Sequence, residues 1–188
     1  AASAWLAFRA LTVKNELEAA REQVGVVQGG GDIDSALVAM GTHAHAAVEA
    51  ADDPVWKVFE YLPLAGDNLR AVRLAAESLD VLSNDLALPI LKDDGSGAGI
   101  TARALPVMTA MAPQIQALAD KVEAAAASPF LIGPVRGGID QVAEVIVPAA
   151  PMVGIVPTLL GAEAPRDYLL VFQNNAERGR RGDRPECS

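Results

Sequence analysis

Apolar positions return along this chain at alternating steps of three and four, and they do so in five separate stretches. Leu6, Ala10, Val13, Leu17, Ala20 and Val24 form the first such line, with Lys14, Glu16, Glu18, Arg21 and Glu22 lying off it. That spacing draws one apolar stripe down a helix, so residues 1–28 are expected to form a long amphipathic helix that needs a partner. Gly29-Gly30-Gly31 ends it, and Asp32 or Asp34 can cap the next helix. Ile33, Leu37, Met40, Ala44, Ala47 and Ala51 repeat the spacing, which predicts a second helix folded back on the first. Asp53-Pro54 starts a short helix carrying Trp56 and Phe59, and Pro63 ends it.

Asp67 reads as the N-cap of a third long helix whose stripe is Leu69, Val72, Ala76, Leu79, Ser83 and Leu86, reaching about Leu91. A glycine-rich surface loop over residues 93–99 separates it from a fourth, with Leu105, Met108, Ala112, Ile115, Ala119 and Val122. Pro106 fits a first turn, but Pro113 falls mid-pattern and predicts a kink or a late start. A fifth stripe, Ile139, Val142, Ile146, Ala149 and Val153, is interrupted by Pro148 and Pro151, so that helix is expected to bend or break there. Only residues 168–173, Tyr-Leu-Leu-Val-Phe-Gln, read as a strand. The pattern predicts a mainly α fold class: an elongated antiparallel helical bundle or coil of about five helices, with a single strand near the C-terminus.

Composition sharpens this picture. Of the 188 residues 51% are hydrophobic but only 4% aromatic, so the stripes are built from Ala, Val and Leu, side chains that let helices approach closely. A formal charge of −9 argues against a nucleic-acid groove, which needs a basic face to displace counterions. The single cysteine, Cys187, cannot form an intramolecular disulfide. No run reaches the roughly 20 apolar residues that span a bilayer, and the first eight cover only about 12 Å of it. Those eight residues nevertheless read as the outer end of a membrane helix, with Trp5 suited to the interface.

Four segments carry a resemblance: Asp53-Pro54-Val55-Trp56, the block from Leu62 to Arg73, Pro157-Thr158-Leu159-Leu160-Gly161, and the block from Pro165 to Glu177. Together they resemble the bacterial envelope family known as domain of unknown function 4012. The resemblance covers about Trp5 to Glu177. It implies a short cytoplasmic tail, one transmembrane helix, a long extracytoplasmic helical region, and an α/β part opening with a strand that ends in a Phe-Gln-Asn-Asn-Ala-Glu motif. On that basis residues 1–28 continue from a transmembrane segment, 32–160 form the bundle, and 166–177 are the first strand of an α/β part. From Arg178 the sequence departs from the family and turns to Arg, Gly and Pro without apolar periodicity. Residues 178–188 are therefore expected to be a disordered tail, either out of frame or genuinely divergent, and the chain a fragment.

Candidate chemistry is sparse. His43 and His45 stand two apart and face different sides of a helix, whereas a helical zinc pair needs a spacing of four; His45 with Glu49 has that spacing but lacks a third ligand. Gly29-Gly30-Gly31 and the 133–138 segment lack the Gly-Lys-Ser/Thr ending of a phosphate loop and read as hinges. Arg181-Gly182-Asp183 spells an adhesion tripeptide with almost no specificity. Asn174, Asn175 and Glu177 form the most interesting polar cluster, as amides and a carboxylate beyond a strand can line a site or simply cap it. Asp67, Asn68, Arg70 and Arg73 read as a helix cap with a charged face, and Trp56, Phe59 and Tyr61 as a small aromatic core. No catalytic set, metal site or cofactor is expected. The expected function is a membrane-anchored envelope protein whose helices act as a spacer or interaction module. Its expected partners are the membrane, through an N-terminal helix, and envelope proteins or glycopolymer, with no nucleic acid. The alternative is the stalk of an enzyme or carbohydrate-binding protein of cell-surface polysaccharide metabolism.

Overall fold

The computed structural model describes residues 2–161, apart from residues 64, 93, 94, 96 and 98. Every regular element among them is helical, and the strand expected at 168–173 lies outside the described residues.

Helix α1 (Ala2–Gln28) and helix α2 (Ile33–Ala51) form an antiparallel hairpin. Val13 and Ala20 of α1 are fully buried, as are Ala44, Ala47 and Ala51 of α2, so the alanine-rich stripes bring the two backbones together. The turn closes where Gly31 donates its N–H to the Val26 carbonyl while Gly30 adopts φ +78°, a left-handed conformation that costs glycine little. Of the two candidate caps, Asp32 caps α2 by accepting the Asp34 N–H at 3.2 Å, and Asp34 lies in the first turn.

Asp53 caps the short helix α3 (Pro54–Phe59), with Pro54 at its start. Trp56 is the only member of the expected aromatic core that is buried. Its indole N–H reaches the Leu69 carbonyl at 3.2 Å, while Phe59 is half-buried and Tyr61 is 88% exposed.

The third long helix runs without interruption from residue 66 to 91 as α4 (Gly66–Asp80), a π-helical segment (Val81–Ala87) and α5 (Leu88–Leu91). In the wider turns the Leu88 N–H reaches back five residues to Ser83. Pro89 follows directly, and its ring would crowd the carbonyl four residues back in a regular helix. Gly66 lies so close to the Glu60 carbonyl that a Cβ would run into it, which explains the glycine at this start. Asp67, expected as the cap, instead sits in the first turn, and Ala65 occupies the cap position without a side-chain bond.

Helix α6 (Ile100–Ala126) and helix α7 (Gly133–Leu159) form a second antiparallel hairpin around Ile115, Leu118, Ala119 and Val122 on one side and Ile139, Ile146, Ala150 and Val153 on the other. Both helices are continuous, against the break or late start expected at their prolines. Pro106, Pro113, Pro148 and Pro151 are all exposed, so water can satisfy the carbonyls that their missing N–H groups leave free. The Gly133, Gly137 and Gly138 segment, expected as a hinge, forms the first turns of α7.

The central helix joins the two hairpins into one body. It gives Ala76 to the core containing Val13, Ala47, Ala50 and Trp56, and gives Ala71, Leu74 and Ala75 to the core containing Ile115, Val122 and Ile146. A Cβ at Gly41 of α2 would collide with Asn84, whose amide donates to the Gly41 carbonyl at 3.0 Å, so α2 also crosses the π-helical segment at close quarters. Helix α7 corrects a further expectation: by length and composition it could cross a membrane. Residues 145–160 contain no charged side chain, and Val145, Met152, Ile155 and Leu159 face outward.

Candidate functional site

The polar side chains of the 53–56 and 62–73 segments converge at one end of the bundle. There the start of α1, the α2–α3 junction, the α3–α4 turn and the α6–α7 turn meet. Asn68 accounts for the α6–α7 turn: its amide N–H donates to the Phe130 carbonyl at 3.0 Å, and its amide oxygen accepts the Ile132 N–H at 2.8 Å. One side chain thus pairs with the backbone on both sides of the buried Leu131, much as a neighbouring strand would. Next to it, Asp67 accepts the Ser128 hydroxyl at 2.8 Å, and Arg136 donates to the Ser128 carbonyl at 2.8 Å. These residues hold α6 and α7 against the start of α4.

Arg73 serves the other turn. Its guanidinium grips Glu60 with bonds of 2.7 and 3.1 Å, in the two-pronged geometry that makes Arg–carboxylate pairs strong. That contact holds Arg73 above the ordinary arginine pKa, with Glu77 and Asp52 adding smaller attractions. On the third side, Asp53 accepts the Val55 N–H at 2.8 Å and receives both the Trp5 indole and the Arg9 guanidinium at 3.3 Å. Its carboxyl is held below the usual carboxylate range, chiefly by the Val55 N–H, with Trp5 and Arg9 adding to it against the cost of desolvation. Arg9 also lies over the Trp5 ring at 5.1 Å, and its buried Nε has no hydrogen-bond partner among the described residues.

Between α4 and α6 this end opens into a shallow cleft of about 530 Å³. Arg70, Arg73 and Lys121 contribute cations to it, Asp67 and Glu77 carboxylates, and Leu74, Ala124 and Ala125 an apolar floor. Lys121 makes no ion pair among the described residues, and Arg70 has only the 3.5 Å contact with Asp67. Such a lining can hold an anion or a hydroxyl-rich ligand by charge-assisted hydrogen bonds.

The two histidines face different partners, as their spacing requires. His43 meets Glu16 of α1 at 2.7 Å, and His45 lies 3.5 Å from Asp80 and 3.8 Å from Glu49. Among the described residues no three His, Cys, Asp or Glu side chains are arranged to hold a metal. Asn174, Asn175, Glu177 and the Arg181-Gly182-Asp183 tripeptide lie outside the described residues. The Asn68 clamp escaped sequence reasoning because its partners are backbone groups more than 60 positions away. The signal that could have marked this end is the confinement of Trp5, Phe8, Trp56, Phe59, Tyr61 and Phe130 to the segments that build it. No protein-family model, curated protein or solved structure matches this chain.

Proposed function

We propose that this chain is the helical region of a bacterial envelope protein of the domain of unknown function 4012 kind, held at a bilayer through its N-terminal helix. In this reading it acts outside the cytoplasm as a spacer or interaction module without catalytic activity of its own. The observation that carries the reading is the attachment of the first turns of α1 to the bundle, where Trp5 and Arg9 both close on the carboxylate that caps α3. A membrane helix continuous with α1 would set the position of the whole bundle. The 53–56 and 62–73 segments, which carry the resemblance, also build this junction, and so support it.

The test is fractionation of cells producing the complete gene product, followed by protease treatment of intact spheroplasts. The protein is expected in the carbonate-resistant membrane fraction, with its bundle cleaved from outside. Recovery in the soluble cytoplasm, or protection from external protease, would refute the proposal.

The Arg70–Lys121 cleft favours a second reading, in which the bundle is the stalk of an enzyme or carbohydrate-binding protein of cell-surface polysaccharide metabolism. Retention of the complete product on an immobilised acidic glycopolymer, lost in Arg70→Glu/Lys121→Glu, would favour it over the spacer.

A further inference from the structure

We infer that the end of the bundle formed by the α3–α4 and α6–α7 turns lies directly on a lipid bilayer, with Tyr61, Leu62, Phe130 and Ile132 immersed in its interface. The inference rests on the membrane-anchored reading and adds a second, independent contact to the anchor.

Three observations carry it. The first is where the aromatic residues are. All six aromatics among the described residues belong to this end, and four of them, Trp5, Phe8, Tyr61 and Phe130, are exposed. Phe130 and Ile132 are 55% and 58% exposed on a turn whose backbone Asn68 clamps from beneath, so the two side chains are presented outward on a fixed support. Aromatic and large aliphatic side chains held in water by a rigid turn are unfavourable there and favourable at the headgroup boundary of a bilayer.

The second observation is charge. Residues 5–9, 52–73 and 128–136 together hold five basic and four acidic side chains, in a chain whose net charge is −9. Each of the four carboxylates is already paired: Asp52 with Lys57 at 2.7 Å, Asp53 with Arg9 at 3.3 Å, Glu60 with Arg73 at 2.7 Å and Asp67 with Arg70 at 3.5 Å. The acidic excess therefore lies elsewhere, and the surface offered to anionic headgroups is neutralised and slightly positive. At the opposite end Val26, Ile33, Leu91, Ile100, Leu159 and Leu160 are also exposed, but among the described residues no aromatic accompanies them, and Glu22 and Asp34 make no ion pair.

The third observation is continuity. Trp5 and Phe8 stand on the first turns of α1, with ring centroids 6.0 Å apart, and Trp5 is bonded to Asp53 at the same end. A bilayer that receives this end of α1 lies beside the two turns.

The full chain with Cys187→Ser, carrying one new cysteine at Tyr61, Phe130 or Ile33, is labelled with an environment-sensitive fluorophore. It is then mixed with vesicles of phosphatidylcholine and phosphatidylglycerol in a 7:3 ratio, with and without a lipid-borne quencher. Labels at 61 and 130 are expected to shift to the blue and be quenched, while the label at 33 is expected to stay in water. In unlabelled protein Phe130→Ser/Ile132→Ser, both exposed and with helicity checked by circular dichroism, co-flotation is expected to weaken roughly tenfold. Quenching at 33 with none at 61 or 130, or co-flotation unchanged in the double variant, would place the lipid contact elsewhere and overturn the inference. Absence of any co-flotation overturns it too. The anchored reading is decided separately by the membrane fractionation of the complete product.

Discussion

Asn68 illustrates how much of this fold depends on single polar side chains facing a distant backbone. Its two bonds satisfy a carbonyl and an N–H in a turn that makes no regular ladder, and no other side-chain type offers both a donor and an acceptor in that geometry except Gln, which is longer. Asn68→Ala is expected to destabilise the chain by about 1–3 kcal/mol, read as a lower urea midpoint with an unchanged slope. Asn68→Asp should be nearly as harmful, since it keeps the acceptor but loses the donor to Phe130; a variant as stable as the parent would show that the clamp is dispensable. Asp53 adds a pH dependence whose sign is set by its surroundings. Because its folded-state pKa is depressed, its contribution is present above the unfolded carboxylate value near about 4 and is lost as the pH falls through the folded value. Asp32, depressed chiefly by the Ser35 hydroxyl, acts in the same direction. Denaturation midpoints should therefore drop between pH 5 and pH 2 in the parent, and drop less in Asp53→Asn, whose amide does not titrate. Equal pH slopes in the two proteins would exclude Asp53 as a contributor.

At the level of helices the prolines separate what periodicity can show from what it cannot. The five apolar stripes were legible because small side chains at steps of three and four leave no other way to bury them, and each stripe became one long helix. Pro113 and Pro148 gave the opposite impression, since their missing N–H groups count against a helix interior when only the sequence is considered. Whether a proline breaks a helix depends on which face it occupies and whether water reaches the freed carbonyl, and both facts come from packing. Pro113 is exposed on α6, so its cost is the lost bond and the crowding of its ring against the carbonyl four residues back, without a buried polar group left unpaired. Pro113→Ala should accordingly stabilise the protein by about 1–3 kcal/mol, measured as a higher urea midpoint; a fall in stability would mean that α6 depends on a bend at this point. The π-helical segment was illegible for a related reason. Pro89 hinted at a disturbance, but the Gly41–Asn84 contact that the wide turns make with α2 joins residues 43 positions apart. Likewise Asp67 has the composition of a cap, yet the helix starts two residues earlier than that cap implies, where Gly66 packs closely against the Glu60 carbonyl.

The molecule as a whole is two helical hairpins that share one helix, so its cooperativity depends on how firmly residues 66–91 couple them. Ala76 faces one core and Ala71 and Ala75 the other, less than two turns apart on the same helix. A helix that loses one hairpin exposes an apolar stripe and retains the polar bonds of only one side, so either hairpin alone leaves the central helix half-solvated. The two staples at the start of α4 reinforce the coupling, since Asn68 holds the α6–α7 turn and Arg73 holds the α3–α4 turn from the same two helical turns. Unfolding should then be a single transition. Trp5 and Trp56 both report on the α1–α2 side, whereas far-ultraviolet circular dichroism reports on every helix, so the two signals test this directly. Coincident urea midpoints are expected in the parent. In Trp56→Ala, whose large buried side chain should cost about 3–5 kcal/mol, circular dichroism and the remaining Trp5 fluorescence should shift together. A Trp5 transition that precedes the loss of helicity would instead mean that the α6–α7 hairpin holds the central helix without its counterpart. The bundle would then be two units joined in series, and force applied at the N-terminus would make it yield first at the α1–α2 hairpin.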